Sequence, residues 1–144
     1  MSLTQISENK CFNGMQRIYS HLSEKLDCRM QFSIFIPPQI ATVKCPVVFW
    51  LSGLTCTEEN FTVKASVQKY AAENGLMVVA PDTSPRGKNV PDHDNYDFGQ
   101  GASFYLNATE QPWAKNYNMY DYVSSELPTL IHANFPTIPE FQSI

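Results

Sequence analysis

Two stretches near the start of the chain alternate apolar and polar residues: RIYSHLS (Arg17–Ser23) and RMQFSIFIP (Arg29–Pro37). In the second, Met30, Phe32, Ile34 and Ile36 share one face, the period-two pattern of a half-buried strand. The short polar link between them predicts a β-hairpin, which Pro37-Pro38 ends. CPVVFWLSG then breaks the alternation. Its continuous Val-Val-Phe-Trp-Leu run, a strand over Val47–Leu51, predicts cover on both faces, as inside a parallel sheet. TVKASVQKYAAENG reads as one helix with Val63, Val67, Tyr70 and Ala71 on a stripe and Gly75 as its left-handed C-terminal residue. Thr55 and Glu58 have the spacing of a capping box. LMVVAPD (Leu76–Asp82) is a second unbroken apolar strand, so strand, helix and strand form a βαβ unit.

From Thr83 to Pro112 the pattern dissolves into a long polar loop, and loops of this length in a compact domain usually carry function. Phe98, Phe104, Tyr105 and Trp113 favour an ordered one. NMYDYVSSELPTLIHANF follows as an amphipathic helix with Met119, Tyr122, Val123, Leu127, Leu130 and Ile131 on one stripe. Pro128 is expected to kink that helix or end its first part. FQSI (Phe141–Ile144) reads as the first residues of a further apolar strand. The pattern predicts one α/β domain over residues 1–144, a β-hairpin followed by parallel βαβ strands with helices on both faces.

Composition narrows the function classes. At 144 residues, 43% hydrophobic and 17% charged, the chain is long and apolar enough for a folded core. A net charge of -4 argues against nucleic acid, whose phosphates call for a basic surface. No apolar run approaches the roughly 20 residues of a membrane span. MSLTQISENK has neither the apolar core nor the cleavage site of a secretory signal, so the expectation is a cytoplasmic protein with no membrane partner. Cys11, Cys28, Cys45 and Cys56 form no CxxC pair and lack neighbouring histidines, which argues against zinc and for free, mostly buried thiols.

Candidate chemistry concentrates in Ser52-Gly53-Leu54-Thr55-Cys56, delivered to the carboxyl edge of the sheet, where open α/β sheets bind ligands. Gly53 permits a positive φ and close approach to the backbone, and an N–H that has left the ladder without joining a helix can hold an oxyanion. A tight βα connection with no chemistry is the other reading of the same residues. PDHDNYD places Asp92, Asp94 and Asp97 around His93 but lacks the glycine and distal glutamate of a calcium loop, so no metal and no cofactor are expected. His21, His93 and His132 have no evident nucleophile and read as structural or solvated. Trp113 and Phe104 flank Gly99-Gln100-Gly101, a stretch that either lines a pocket or buries the loop.

Taken together, VVFWLSGLTCTEENF, APDTSPRG, FGQGASFYLNATEQPW and YVSSELPTLI resemble the S-formylglutathione hydrolase (esterase D) family, almost from end to end of this chain. The resemblance implies the N-terminal part of an α/β-hydrolase fold and a cytosolic serine esterase. That family hydrolyses S-formylglutathione to formate and glutathione in formaldehyde detoxification and cleaves small carboxyl esters. It implies Leu54 as an oxyanion-hole donor through its backbone N–H, with Gly53 shaping the turn. It implies Cys56 beside the site, and Gln100 and Trp113 toward the substrate. Such enzymes need a serine at a G-x-S-x-G elbow, then an acid and a histidine, in that order. No G-x-S-x-G occurs in these residues, and FQSI corresponds to the strand before the elbow. Triad Ser, Asp and His are therefore expected from a C-terminal half, as another chain or segment, and a homodimer stays open. The alternative is a truncated, non-catalytic binding protein of the same fold.

Overall fold

The alternating stretches pair as expected in the computed structural model, which describes residues 2–144: β2 (Gly14–Ser23) lies antiparallel to β3 (Cys28–Ile36) in unbroken register from Met15↔Ile36 to Ser23↔Cys28. Met30, Phe32, Ile34 and Ile36 are all buried, and so are Ser33 and Phe35 opposite them, so β3 is covered on both faces. An additional strand, β1 (Thr4–Cys11), pairs with β2 at the sheet edge. Its sequence carries no apolar alternation because nearly every residue faces solvent. Backbone pairing rather than burial holds it.

β4 (Cys45–Phe49) and β5 (Met77–Pro81) run parallel, β5 lies antiparallel to β3, and β6 (Thr137–Ser143) runs parallel to β4. The sheet order is β1-β2-β3-β5-β4-β6. β5 is buried throughout, as its apolar run predicts. β4 is not: Cys45, Val47 and Phe49 are buried, while Val48 is half-buried and Trp50, just past the strand, is exposed and stacks on Phe61 at 4.3 Å. The expected strand end at Leu51 thus falls at Phe49, and the cover on the second face is one aromatic stack. β6 starts at Thr137, before FQSI, and most of its residues are exposed.

The expected single helix is two. α1 (Glu58–Lys64) and α2 (Val67–Asn74) are separated by Ser66, which sits at φ 52 in the left-handed region. The break turns Val63 and Tyr70 of the expected stripe to solvent, while Ala71 stays buried and is joined by Gln68 and Ala72. Gln68 Nε2 donates to the Thr62 carbonyl at 2.7 Å and ties the two helices together. Gly75 does close α2 in the left-handed conformation. The cap of α1 is Thr57, whose Oγ1 accepts from Glu59 N while Asn60 Oδ1 accepts from Thr57 N at 2.8 Å. Thr55 lies two residues before that cap, in the left-handed region at φ 62, with its N–H donated to Gly101 O.

α3 spans residues 119–134 as Met119–Asp121, a π-helical stretch Tyr122–Glu126 and Leu127–Asn134. The helix passes through Pro128 rather than ending there. Leu127 N bonds Tyr122 O, five residues back, and this widened turn lies in front of the ring that would crowd an ordinary one. The expected stripe is buried throughout. Polar contacts of two α3 side chains seat the helix: His21 Nε2 meets Tyr122 Oη at 3.0 Å, and the buried Glu126 carboxylate accepts from Ser23 Oγ at the end of β2 and from Glu24 N and Lys25 N in the turn after it. A buried carboxylate is tolerable only when satisfied in this way.

One apolar cluster joins the sheet to α3 through Phe32, Ile34, Val47, Val79 and Tyr122, and another joins it to α1–α2 through Phe35, Val78 and Ala71. The expected α/β class with helices on both faces is what forms. Among the described residues no helix is long and apolar enough to cross a membrane.

Candidate active site

The chain leaves the sheet after Trp50, whose N–H makes a last bond to Val79 O at 2.8 Å. Cys56 N then donates back to Gly53 O at 3.2 Å, closing a β-turn over Gly53-Leu54-Thr55-Cys56. The positive φ in that turn belongs to Thr55, at 62°, and not to Gly53. The expected use of Gly53 for backbone freedom is therefore corrected; the left-handed position is taken by a β-branched residue, a strained choice. At Gly53 a Cβ would meet nothing within 4 Å, so the backbone there borders open space.

A strained turn persists only if its surroundings over-determine it, and here the long loop does so at successive points. Tyr105 Oη donates to Ser52 O at 2.6 Å, and Ser103 Oγ lies 2.8 Å from Gly53 O. Gly101 O accepts from Thr55 N at 2.9 Å, and Cys56 O accepts from Thr83 Oγ1 at 2.5 Å and Arg86 Nη2 at 3.1 Å. Ser103 and Thr83 hydroxyls are 2.7 Å apart, so they form one network beneath the turn. Within this frame, and among the described residues, the N–H of Leu54 donates to no backbone carbonyl. Leu54 is 41% exposed. The arrangement offers an unpartnered donor on a fixed backbone, which is what an oxyanion site requires.

Beside the turn, over the carboxyl end of β5, lies a cavity of about 300 Å³ whose walls include Thr83, Ser103, Phe98, Phe104, Trp113 and Tyr117. Trp113 packs edge-on against Phe98 at 4.8 Å and against Tyr117 at 5.4 Å, and His93 caps Phe98 at 5.4 Å. Burial pushes the Tyr117 phenol up to about 12 and the Tyr105 phenol higher still, so both stay protonated and donate to their carbonyls at neutral pH. Burial also raises the Glu58 carboxyl, at the start of α1, with Asp82 nearby adding to the effect.

Of the residues singled out by sequence, Leu54, Gly53 and Cys56 share the turn, and Trp113 lines the cavity. Gln100 is elsewhere: its side chain binds Gly87 N, Gly87 O and Val90 O and clamps the loop to itself. All four cysteines are free, but only Cys45 is buried and the others are half-buried, contrary to expectation. Asp92 accepts from His93 N and Gln100 N, and among the described residues no three His, Cys, Asp or Glu side chains converge as metal ligands. Tyr105 is marked by the sequence only as an aromatic that orders the loop, and Ser103, Thr83 and Arg86 are not marked individually by pattern. Their only signal was membership of the two loop blocks, since a side chain reaching a distant carbonyl leaves no periodicity.

Residues 23–144 match the Esterase family. The chain is 56% identical to the S-formylglutathione hydrolase of Mus musculus and 57% identical to that of Rattus norvegicus, over 100% of its own length and 51% of each of theirs. A solved S-formylglutathione hydrolase from Agrobacterium tumefaciens superposes with a TM-score of 0.95 at 50% identity, covering 97% of this chain and 51% of that one. The chain thus spans about half the length of the curated relatives it matches.

Proposed function

The chain belongs to the Esterase family, and from that premise we propose that it forms the oxyanion-hole half of a cytoplasmic serine thioesterase and carboxylesterase acting on S-formylglutathione. Leu54 N–H receives the carbonyl oxygen as it becomes an oxyanion, Gly53 leaves room for it, and the cavity beside Trp113 takes a substrate substituent. Cys56 lies behind the donor. Gln100 contributes by holding the cavity loop in shape. The nucleophilic serine, its histidine and its acid come from a C-terminal half of the enzyme. Serine attack on the formyl carbon expels glutathione thiolate, which takes a proton from the histidine, and water then releases formate, the last step fitting formaldehyde detoxification.

One observation carries this reading: the unpartnered Leu54 N–H on a turn anchored at Ser52, Gly53, Thr55 and Cys56 by the 83–105 loop. The identity to S-formylglutathione hydrolases supports the choice of substrate. The test is turnover of S-formylglutathione and p-nitrophenyl acetate by the enzyme containing this chain, with intact-mass detection of the species a serine-reactive phosphonate labels. Turnover abolished by a single phosphonate adduct is expected. Absence of both turnover and adduct would leave a non-catalytic binding protein.

A further inference from the structure

We propose that Arg86 is a positioning residue for the oxyanion donor, an inference that rests on the esterase reading of Leu54. Arg86 Nε lies 2.9 and 3.1 Å from the two oxygens of Asp82, and Nη2 donates to Cys56 O at 3.1 Å. Asp82 is a firm base for this contact: it is buried at the end of β5, and its own N–H donates to Gln31 O of β3 at 2.9 Å. The guanidinium therefore transmits the position of the sheet to the far side of the turn.

Its other edge faces Gly101. That glycine sits at φ +89, and a Cβ there would approach Nη1 to 3.3 Å and Nη2 to 3.6 Å. The absent side chain leaves the guanidinium its place, while Gly101 O accepts from Thr55 N. Arg86 thus holds the carbonyl at Cys56 directly and backs the residue that holds the amide at Thr55. Leu54 immediately precedes those two fixed points; its N–H lies antiparallel to the Gly53 carbonyl, which accepts from Cys56 N at 3.2 Å, so the residue that Arg86 holds is itself bonded to the peptide that carries the donor. A partly exposed ion pair adds little to stability by itself, so the consequence of Arg86 lies in the planar fork that serves a carboxylate and a carbonyl at once. Lysine, with one ammonium centre, cannot reproduce that.

The experiment measures kcat and KM for p-nitrophenyl acetate, melting temperature, and amide hydrogen exchange at Thr55, in the enzyme containing this chain. Misplacing a catalytic donor by an ångström costs on the order of 100-fold in rate. Arg86→Ala is expected to lose kcat on that scale with KM within about twofold, as for a group acting only in the transition state. Ethylguanidine should restore part of the rate where ethylammonium does not, and Thr55 exchange should quicken. Arg17→Ala, which removes the exposed pair with Glu8 on the first hairpin, should leave kcat and KM unchanged. Unchanged kcat in a folded Arg86→Ala enzyme, or a loss confined to KM, overturns the proposal. If Arg86→Ala does not fold, Arg86→Lys decides: slower turnover with faster Thr55 exchange supports the role, and wild-type values for both overturn it. Should the wild type neither turn over substrate nor take the phosphonate, the esterase reading fails, and Thr55 exchange alone then judges whether Arg86 holds the turn.

Discussion

Leu54 has an exposed side chain on the surface of a turn, and its N–H is the group left without a backbone carbonyl partner. Leu54→Pro removes the N–H alone among its polar atoms. Loss of one oxyanion donor typically lowers kcat by about 10²–10³-fold, and that drop with little change in KM is expected in steady-state assays on S-formylglutathione. Wild-type kcat in the proline variant would exclude Leu54 as donor. Residue types could suggest an anion site here because a strand ended in a small turn before a helix start. They could not say which residue takes the left-handed conformation. A glycine was available at 53, yet Thr55 adopts it, because Gly101 and Gly53 hold the peptides on either side. Such a choice depends on contacts about fifty positions away in sequence.

At the scale of elements, local signals worked best where the backbone is satisfied locally. Gly75 ends α2 as expected, while the start of α1 lies two residues later than Thr55–Glu58 spacing suggests. Thr57→Ala should lower unfolding free energy by about 1 kcal/mol, the usual value of an N-cap, as read from urea midpoints at constant slope. No change would return the cap to another residue. The division between α1 and α2 escaped the pattern because Val63 and Tyr70 look like a buried stripe but face water. Similarly, Pro128 reads as a helix breaker, yet the wider turn before it lets α3 continue. Periodicity registers apolar spacing, not whether a carbonyl is free to move aside.

The whole molecule shows its electrostatics through buried groups. Burial holds His21 below its ordinary 6.5, so as pH falls through that value the unfolded chain takes up a proton first and stability declines. Glu58 acts in the opposite sense: its raised carboxyl means the unfolded chain ionises first above 4.5, and stability falls as pH rises toward the folded value. Urea midpoints are therefore expected to decrease from pH 7 to pH 5.5 in the wild type and less steeply in His21→Gln. An equal slope in both would remove His21 as the cause. The sheet supplies a second whole-molecule property. β6 pairs with β4 on one side, and Phe141 at 67% exposure stands on it. Unpaired strand edges with apolar side chains recruit partners. The 144-residue polypeptide should accordingly self-associate in sedimentation velocity, and Phe141→Lys should shift it toward monomer. Monodisperse behaviour of the unaltered polypeptide would count against this.

Sequence alone determined the α/β class, the hairpin, the buried β5 strand, the α3 stripe and the place of the candidate turn. Each of these follows from spacing of apolar residues or from a glycine next in line, physics that acts over a few positions. Only the tertiary structure decided that β1 exists, that the helix after the turn is broken, and that Gln100 clamps its own loop. It also decided that Tyr105, Ser103, Gly101, Thr83 and Arg86 hold the Leu54 turn from behind. The bracing of the turn depends on hydrogen bonds between a side chain or amide and a carbonyl remote in the chain. Such bonds have no period, and they become visible only once the sheet has brought β4, β5 and the long loop to the same edge.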